Sequence, residues 1–121
     1  MKRIIAFLSF SLVTSIAMAQ NEIKIEDAAK HEGDSVIICA KIFGGKYFEG
    51  SNRSPTLLNA GAKYPDAPLT IVIFGETRAK FKNKPEEFYT DKRVCVVGRI
   101  VMYKGKPEII VTDEGQMVVE Q

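Results

Sequence analysis

The sequence contains little of what most catalytic sites need. Tryptophan is absent, histidine occurs once, at His31, and cysteine occurs twice, at Cys39 and Cys95. The two cysteines lack C-x-x-C spacing, so we expect neither a zinc site nor a thioredoxin-like redox motif. His31 is the last residue of a short helix-favouring segment, where a cation near a helix C-terminus is the simpler role. With no nucleophile beside a base and no metal-ligand cluster, the sequence favours a binding protein over an enzyme, with no cofactor and no metal.

Acidic pairs and glycines add no catalytic signal. The neighbouring acids Glu86-Glu87 and Asp113-Glu114 lie in surface-like segments, so we interpret them as solvated charge. Calcium binding would need more oxygen ligands than either pair offers locally. Gly44-Gly45 and Gly105 lack the spacing of phosphate-binding loops and are interpreted as turns.

The N-terminus has the pattern of a secretory signal peptide. Lys2 and Arg3 precede an apolar run over residues 4–16, and Ala17-Met18-Ala19 supplies small residues before a cleavage site. The run is shorter than the roughly 20 residues that span a bilayer. We therefore expect cleavage after residue 19 and a periplasmic or secreted protein with one domain, residues 20–121, whose core covers about residues 33–113.

A net charge of one sign is also missing from the expected mature chain. Removing Lys2 and Arg3 from the seventeen basic residues leaves fifteen, against fifteen acidic residues. Proteins that bind nucleic acid through phosphates usually carry a net basic surface. Any phosphate-binding surface in this protein must therefore be local.

What the sequence does contain is a series of β-forming runs. The predicted strands are segments 35–43, 56–60, 69–74, 92–103 and 107–112. Most of them are rich in β-branched residues, and Gly or Pro marks several of their ends. Residues 25–31 predict a short lead-in helix before Gly33. Pro85 divides residues 76–89 into one broken helix or two short ones. The predicted order is β-β-β-α-β-β.

The first and fourth predicted strands have similar sequences. Segment 36–42 matches segment 94–100, each ending in a small residue, a basic residue and isoleucine. Because side chains alternate between faces, Cys39 and Cys95 would both point away from the core. If these strands are antiparallel neighbours, the two cysteines could lie opposite one another and form a disulfide in an oxidising compartment. The alternative is two buried thiols acting as small apolar residues.

Several segments carry a resemblance to a known family: Gly98-Arg99-Ile100, residues 56–61 followed by Tyr64-Pro65, residues 69–74, and residues 103–110. Together they resemble small bacterial exported OB-fold domains, relatives of which are attached to an extracellular DNA/RNA endonuclease. The resemblance spans roughly residues 25–115. It implies an all-β fold with short helices, a five-stranded OB-fold Greek-key barrel, whose ligands usually meet strands 2 and 3 and the loops after strands 1 and 4. The nuclease chemistry of such fusions belongs to a different domain.

Two loops carry the candidate ligand-binding residues, which combine aromatic rings with basic side chains. They are Lys46, Tyr47, Phe48, Asn52 and Arg53 after strand 1, and Tyr103, Lys104 and Lys106 after strand 4. Rings with interleaved bases suit single-stranded nucleic acid, and suit sugars or acidic peptides nearly as well. The alternative is that Tyr47 and Phe48 complete the edge of the core while the bases keep the loops soluble.

A second basic run lies on the predicted helical insert, at Arg78, Lys80, Lys82 and Lys84. Bases at every second position would go round a helix, so we interpret this run as solvated. The expected function is an exported module that binds single-stranded nucleic acid or another extended anionic ligand. The alternative is a periplasmic module that binds an envelope protein or a glycan, with no nucleic-acid role.

Overall fold

Residues 21–121 are described in a computed structural model of the protein, and the predicted signal peptide, residues 1–19, lies outside this range. The strands are β1 (Ser35–Tyr47), β2 (Thr56–Ala60), β3 (Leu69–Ile73), β4 (Arg93–Tyr103), β5 (Lys106–Ile110) and β6 (Met117–Val119). The helices are α1 (Gly75–Arg78), α2 (Pro85–Phe88) and the 3-10 turns Ile25–His31 and Glu114–Gln116. The fold is therefore mostly β with short helices, as the sequence predicted. Within residues 21–121, no helix has the length and apolar character needed to cross a bilayer.

The strands form one sheet that closes on itself. The order is β1-β2-β3-β5-β4-β6, and a further pairing of β1 with β4 closes the circuit. All neighbours are antiparallel except β3 and β5, which are parallel. The sequence did not predict β6, because a run of three residues is too short to give a periodic signal.

The predicted end of the first strand at Phe43 was wrong, because β1 continues through two glycines to Tyr47. A bulge between Ile42 and Gly45 shifts the pairing with β2. A Cβ atom on Gly45 would lie 2.5 Å from the carbonyl oxygen of Leu57, so only glycine allows this close approach. The bulge bends the strand, so that its first half pairs with β4 and its second half with β2.

The core lies inside the closed sheet. The prediction of which alternate residues of β1 and β4 face this core is confirmed. Val36, Ile38 and Ala40 are buried in β1, which pairs with β4 in antiparallel register. Val94 and Val96 of β4 are buried beside them. The buried cluster extends from Ala28 in the first 3-10 turn to Met117 in β6.

Cys39 lies directly opposite Cys95 across the β1–β4 pair, on the outer face of the sheet. Their sulfur atoms are 2.08 Å apart, which is a covalent disulfide distance. The disulfide interpretation is therefore supported over the alternative of two separate buried thiols.

The helical insert departs from its predicted solvated character at two residues. Arg78 and Glu86 form an ion pair of 2.6 Å, with side chains only 12% and 18% exposed. The hydrogen bond from Arg78 lowers the pKa of Glu86, against the opposing effect of burial. The same bond raises the pKa of Arg78. Lys80, Lys82 and Lys84 remain exposed, so the basic run does not act as one surface.

Candidate functional site

The outer face of the sheet carries an apolar row across β2, β3 and β5. Leu57 pairs with Val72, and Val72 pairs with Ile110. The chain neighbours of all three residues are buried in the core. Because side chains alternate along a strand, these three point outward.

A cavity of about 500 Å³ lies over one half of this face. Its lining includes Asn52 and Arg53 from the β1–β2 connection and Tyr103 from the end of β4. The two loops that the sequence singled out therefore do contribute to one cavity.

A second cavity, of about 630 Å³, lies over the other half and is lined by Lys46, Phe48 and Tyr64. Leu57 and Glu108 line both cavities. The two cavities are therefore adjacent over the outer face of β2, β3 and β5, and together they are called here the outer groove.

Each half of the outer groove has an aromatic side chain with a lysine above it. The Lys46 ammonium lies 5.1 Å from the centre of the Phe48 ring, and the Lys104 ammonium lies 5.3 Å from that of Tyr103. Phe48 is 37% exposed and Tyr103 is 56% exposed. Both rings are therefore accessible to a ligand, and each has a cation beside it.

Two of the predicted basic residues already have partners. Arg53 donates a 2.6 Å hydrogen bond to Glu76, and its guanidinium stacks 3.8 Å from the centre of the Phe74 ring. This bond is also the main reason why the pKa of Glu76 is lowered. Lys106 donates to the carbonyl oxygen of Pro65 at 3.2 Å. Arg53 thus supports one wall of the groove, whereas neither Lys104 nor Lys106 lines a cavity. Lys46 and Lys104 make no ion pair among residues 21–121.

Tyr47 lies apart from the other predicted ligand-binding residues. It is in β1, opposite the buried Thr56, and therefore points to the inner face. The Arg78 guanidinium covers its ring at 3.6 Å. Tyr47 therefore fits the interpretation as a residue at the edge of the core. Phe48, in contrast, is exposed and lines the second cavity.

Glu108 is a groove residue that the sequence analysis missed. Its neighbour Ile109 is buried, so Glu108 points outward between Thr70 and Val101. The carboxylate makes no hydrogen bond or ion pair within residues 21–121, and burial raises its pKa. Its outward direction could have been predicted from its position next to Ile109, because every second residue of a strand faces outward.

A separate cavity of about 660 Å³ lies beside the disulfide and mixes acids and bases, among them Glu22, Lys41 and Arg93. It has no cluster of exposed rings and no concentration of one charge. Cys39, Cys95 and Glu120 place ligand atoms within 4.8 Å of one another. Because the two sulfurs are bonded to each other, they are not the thiolates that bind metals.

No family model matches the chain, and no curated protein matches it in sequence. Among solved structures, the OBody AM1L10 bound to hen egg-white lysozyme is similar, with a TM-score of 0.52 and 13% identity over 76% of this chain and 83% of the OBody. A putative aspartyl-tRNA synthetase from Leishmania major Friedlin gives a TM-score of 0.50 and 11% identity over 94% of this chain. The match spans only 23% of the synthetase. At these identities the likeness concerns the fold alone, and it is consistent with an OB-like fold.

Proposed function

We propose that the protein is an OB-fold binding module, a five-stranded Greek-key barrel extended by β6, whose outer groove binds single-stranded nucleic acid. One observation carries the proposal: each half of the groove holds an exposed ring, Phe48 or Tyr103, with a lysine above it. Bases stack on exposed rings while cations meet the phosphates between them, and each stacked base contributes about 1–3 kcal/mol.

The position of the groove supports this proposal. OB-folds usually bind oligonucleotides and oligosaccharides on the face of strands 2 and 3 and with the loops after strands 1 and 4. The outer groove covers β2 and β3, and Asn52 and Tyr103 bring those loops to it. The support comes from the position of the groove and from the residues that line it, since a fold alone does not identify a ligand.

The balanced charge indicates that nucleic-acid binding would depend on only a few phosphate contacts. Fifteen basic and fifteen acidic residues balance over residues 21–121, so attraction depends on a few local cations. Lys46 and Lys104 are the free cations nearest the two rings. With about 0.7 counterions released per phosphate contact on a single strand, two such contacts give a shallow but measurable salt dependence.

A second candidate is a module that binds an envelope protein or a glycan. The partly exposed apolar side chains of Leu57 and Ile110 on the outer face favour it, together with the balanced charge. The similar structures do not separate the candidates, since the OBody is bound to lysozyme and the name of the synthetase refers to tRNA.

The proposal also includes export to the periplasm or the medium and no enzymatic activity. Export is supported by the signal-peptide pattern of residues 1–19 and by the Cys39–Cys95 disulfide, since disulfides persist mainly in oxidising compartments. The proposed kinship with small bacterial exported OB-fold domains depends on the sequence segments described above.

The test is fluorescence anisotropy of labelled 12-nucleotide DNA and RNA strands with residues 20–121, at low and high salt. We expect binding that weakens with salt and falls at least tenfold in a Phe48→Ala, Tyr103→Ala double variant, because two stacking contacts are lost. Val118→Ala is the matched control, since Val118 is an exposed apolar residue outside the groove. Absence of binding at low salt, or unchanged binding in the double variant, would contradict the proposal and favour the protein or glycan candidate.

A further inference from the structure

Glu108 occupies the point where the two halves of the outer groove meet, since it lines both cavities. It projects from the middle of β5, between Thr70 on β3 and Val101 on β4. No cation pairs with it and no donor bonds to it within residues 21–121. A half-buried carboxylate without a partner is costly, so its surroundings suit a ligand that brings hydrogen-bond donors.

The chemistry of a carboxylate limits which part of a nucleic acid can fill this place. An ionised carboxylate only accepts hydrogen bonds, and it repels phosphate. The phosphates would therefore lie toward Lys46 and Lys104, and a base edge would face Glu108. Proteins that read single strands commonly hydrogen-bond to the Watson–Crick edges of bases stacked on aromatic side chains.

The four base types differ in what their Watson–Crick edges offer to two carboxylate oxygens. Guanine presents N1–H and N2–H side by side, so both oxygens can accept in parallel. Cytosine and adenine each present one amine next to a ring nitrogen that is itself an acceptor. Thymine and uracil present N3–H between two carbonyl oxygens. Guanine alone therefore matches a carboxylate without bringing an acceptor against it.

We infer that Glu108 reads guanine, accepting from the N1–H and N2–H groups of a base that lies in the outer groove between Phe48 and Tyr103. This inference rests on the proposed binding of single-stranded nucleic acid and adds a base preference to it. Glu108 is thus a specificity-determining residue, whereas the rings and lysines supply affinity for any sequence.

The experiment compares three thymidine 12-mers that carry guanine, inosine or thymine at the central position. Binding is measured by fluorescence anisotropy at pH 8, several units above the ordinary carboxyl range. We expect the guanine strand to bind about 5- to 20-fold more tightly than the thymine strand, within the range of a base-specific contact. Inosine keeps N1–H and lacks the N2 amine, so its strand should lie between them.

The variant Glu108→Gln tests the residue itself. The amide keeps the shape but presents a donor to guanine, so the guanine preference should fall below about twofold while the thymine strand binds as well or better. Glu87→Gln is the matched control, because Glu87 is exposed on α2, lines neither cavity and loses the same charge. It should leave the preference unchanged.

Two results would overturn the inference while leaving the proposed function in place. One is equal binding of all three strands by the unmodified protein. The other is a uniform gain for all three strands in Glu108→Gln with the preference intact, which would make the carboxylate only a source of repulsion. Absence of binding to every strand would overturn both the inference and the proposed function.

Discussion

The guanidinium of Arg78 is bound to the carboxylate of Glu86 at 2.6 Å, and both side chains are largely buried. The same guanidinium donates to the Thr56 hydroxyl at 2.8 Å and stacks on Tyr47 at 3.6 Å. One arginine thus connects the helical insert to β1 and β2. This contact helps to hold the insert, together with the packing of Phe81, Phe88 and Tyr89 in and against the core. Such support is needed because α1 and α2 have only four residues each and are too short to be stable alone.

Replacing Arg78 by alanine should therefore destabilise the fold by about 3 kcal/mol, because it leaves Glu86 partly buried without its partner. Urea unfolding followed by circular dichroism measures the change. Arg53→Ala is the control, since the Arg53–Glu76 pair is more than half exposed and exposed pairs contribute little to stability. Equal losses in the two variants would contradict a special role for Arg78.

Glu86 and Glu108 should change stability with pH in opposite directions. Arg78 lowers the pKa of Glu86 in the folded state, so its stabilisation is present above the unfolded pKa and lost as pH falls through the folded pKa. Burial raises the pKa of Glu108, so its contribution is present below the unfolded pKa and lost as pH rises through the folded pKa.

At pH 7 we therefore expect Glu86→Gln to lower the melting temperature and Glu108→Gln to raise it. Both differences should shrink as the pH falls through the range in which these carboxyls protonate. Thermal unfolding between pH 3 and pH 8 provides the measurement, with Glu87→Gln as the neutral comparison. A decrease in the stability of Glu108→Gln at pH 7 would show that the carboxylate makes a stabilising contact.

The disulfide should stabilise the protein mainly by restricting the unfolded chain. Cys39 and Cys95 are 56 positions apart, and the chain-entropy model gives about 4 kcal/mol for a loop of this length. A Cys39→Ala, Cys95→Ala double variant should lose up to that amount in urea unfolding. Reductant should weaken the unmodified protein and leave the double variant unaffected. A similar response of both proteins to reductant would contradict this account.

Gly45 should tolerate no side chain, because a Cβ atom would lie 2.5 Å from a backbone oxygen and 2.7 Å from the Leu58 side chain. Gly45→Ala must displace the backbone of β2, and overpacking of this kind costs about 1–3 kcal/mol. Leu58→Val removes part of one contact but not the backbone contact, so it should not rescue the alanine variant. Urea unfolding of the two single variants and the double variant tests this, and full rescue would contradict the role given to the backbone.

The alternation of buried and exposed residues along the strands predicted more of this fold than did the glycines that were interpreted as turns. The outward direction of the Cys39 and Cys95 side chains follows from the spacing of the neighbouring apolar residues, which is visible in the sequence itself. Gly44-Gly45 looked like the end of a strand, but pairing with β2 carries the strand through as a bulge. That pairing is tertiary, so the segment alone could not reveal it.

The candidate site was only partly predictable for the same reason. Phe48 and Tyr103 were identified as aromatic residues near basic ones, and the structure places them in the two halves of one groove. Tyr47 has the same local sequence signal as Phe48, yet a distant arginine covers it. Glu108 was not singled out in the sequence, because the pairing of β5 with β3 and β4, which places it between the two cavities, is a tertiary feature.

The salt dependence of oligonucleotide binding should identify which lysines meet phosphate. Lys104→Ala removes the cation beside Tyr103, so the slope of log K against log salt should become shallower by about 0.7 for a single strand. Lys82→Ala is the matched control, because Lys82 is exposed on the helical insert and, unlike Lys104, lies over neither groove ring. Its slope should equal that of the unmodified protein. If the two variants give the same slope, attraction is spread over the whole surface and the lysine–ring pairs are not the phosphate contacts.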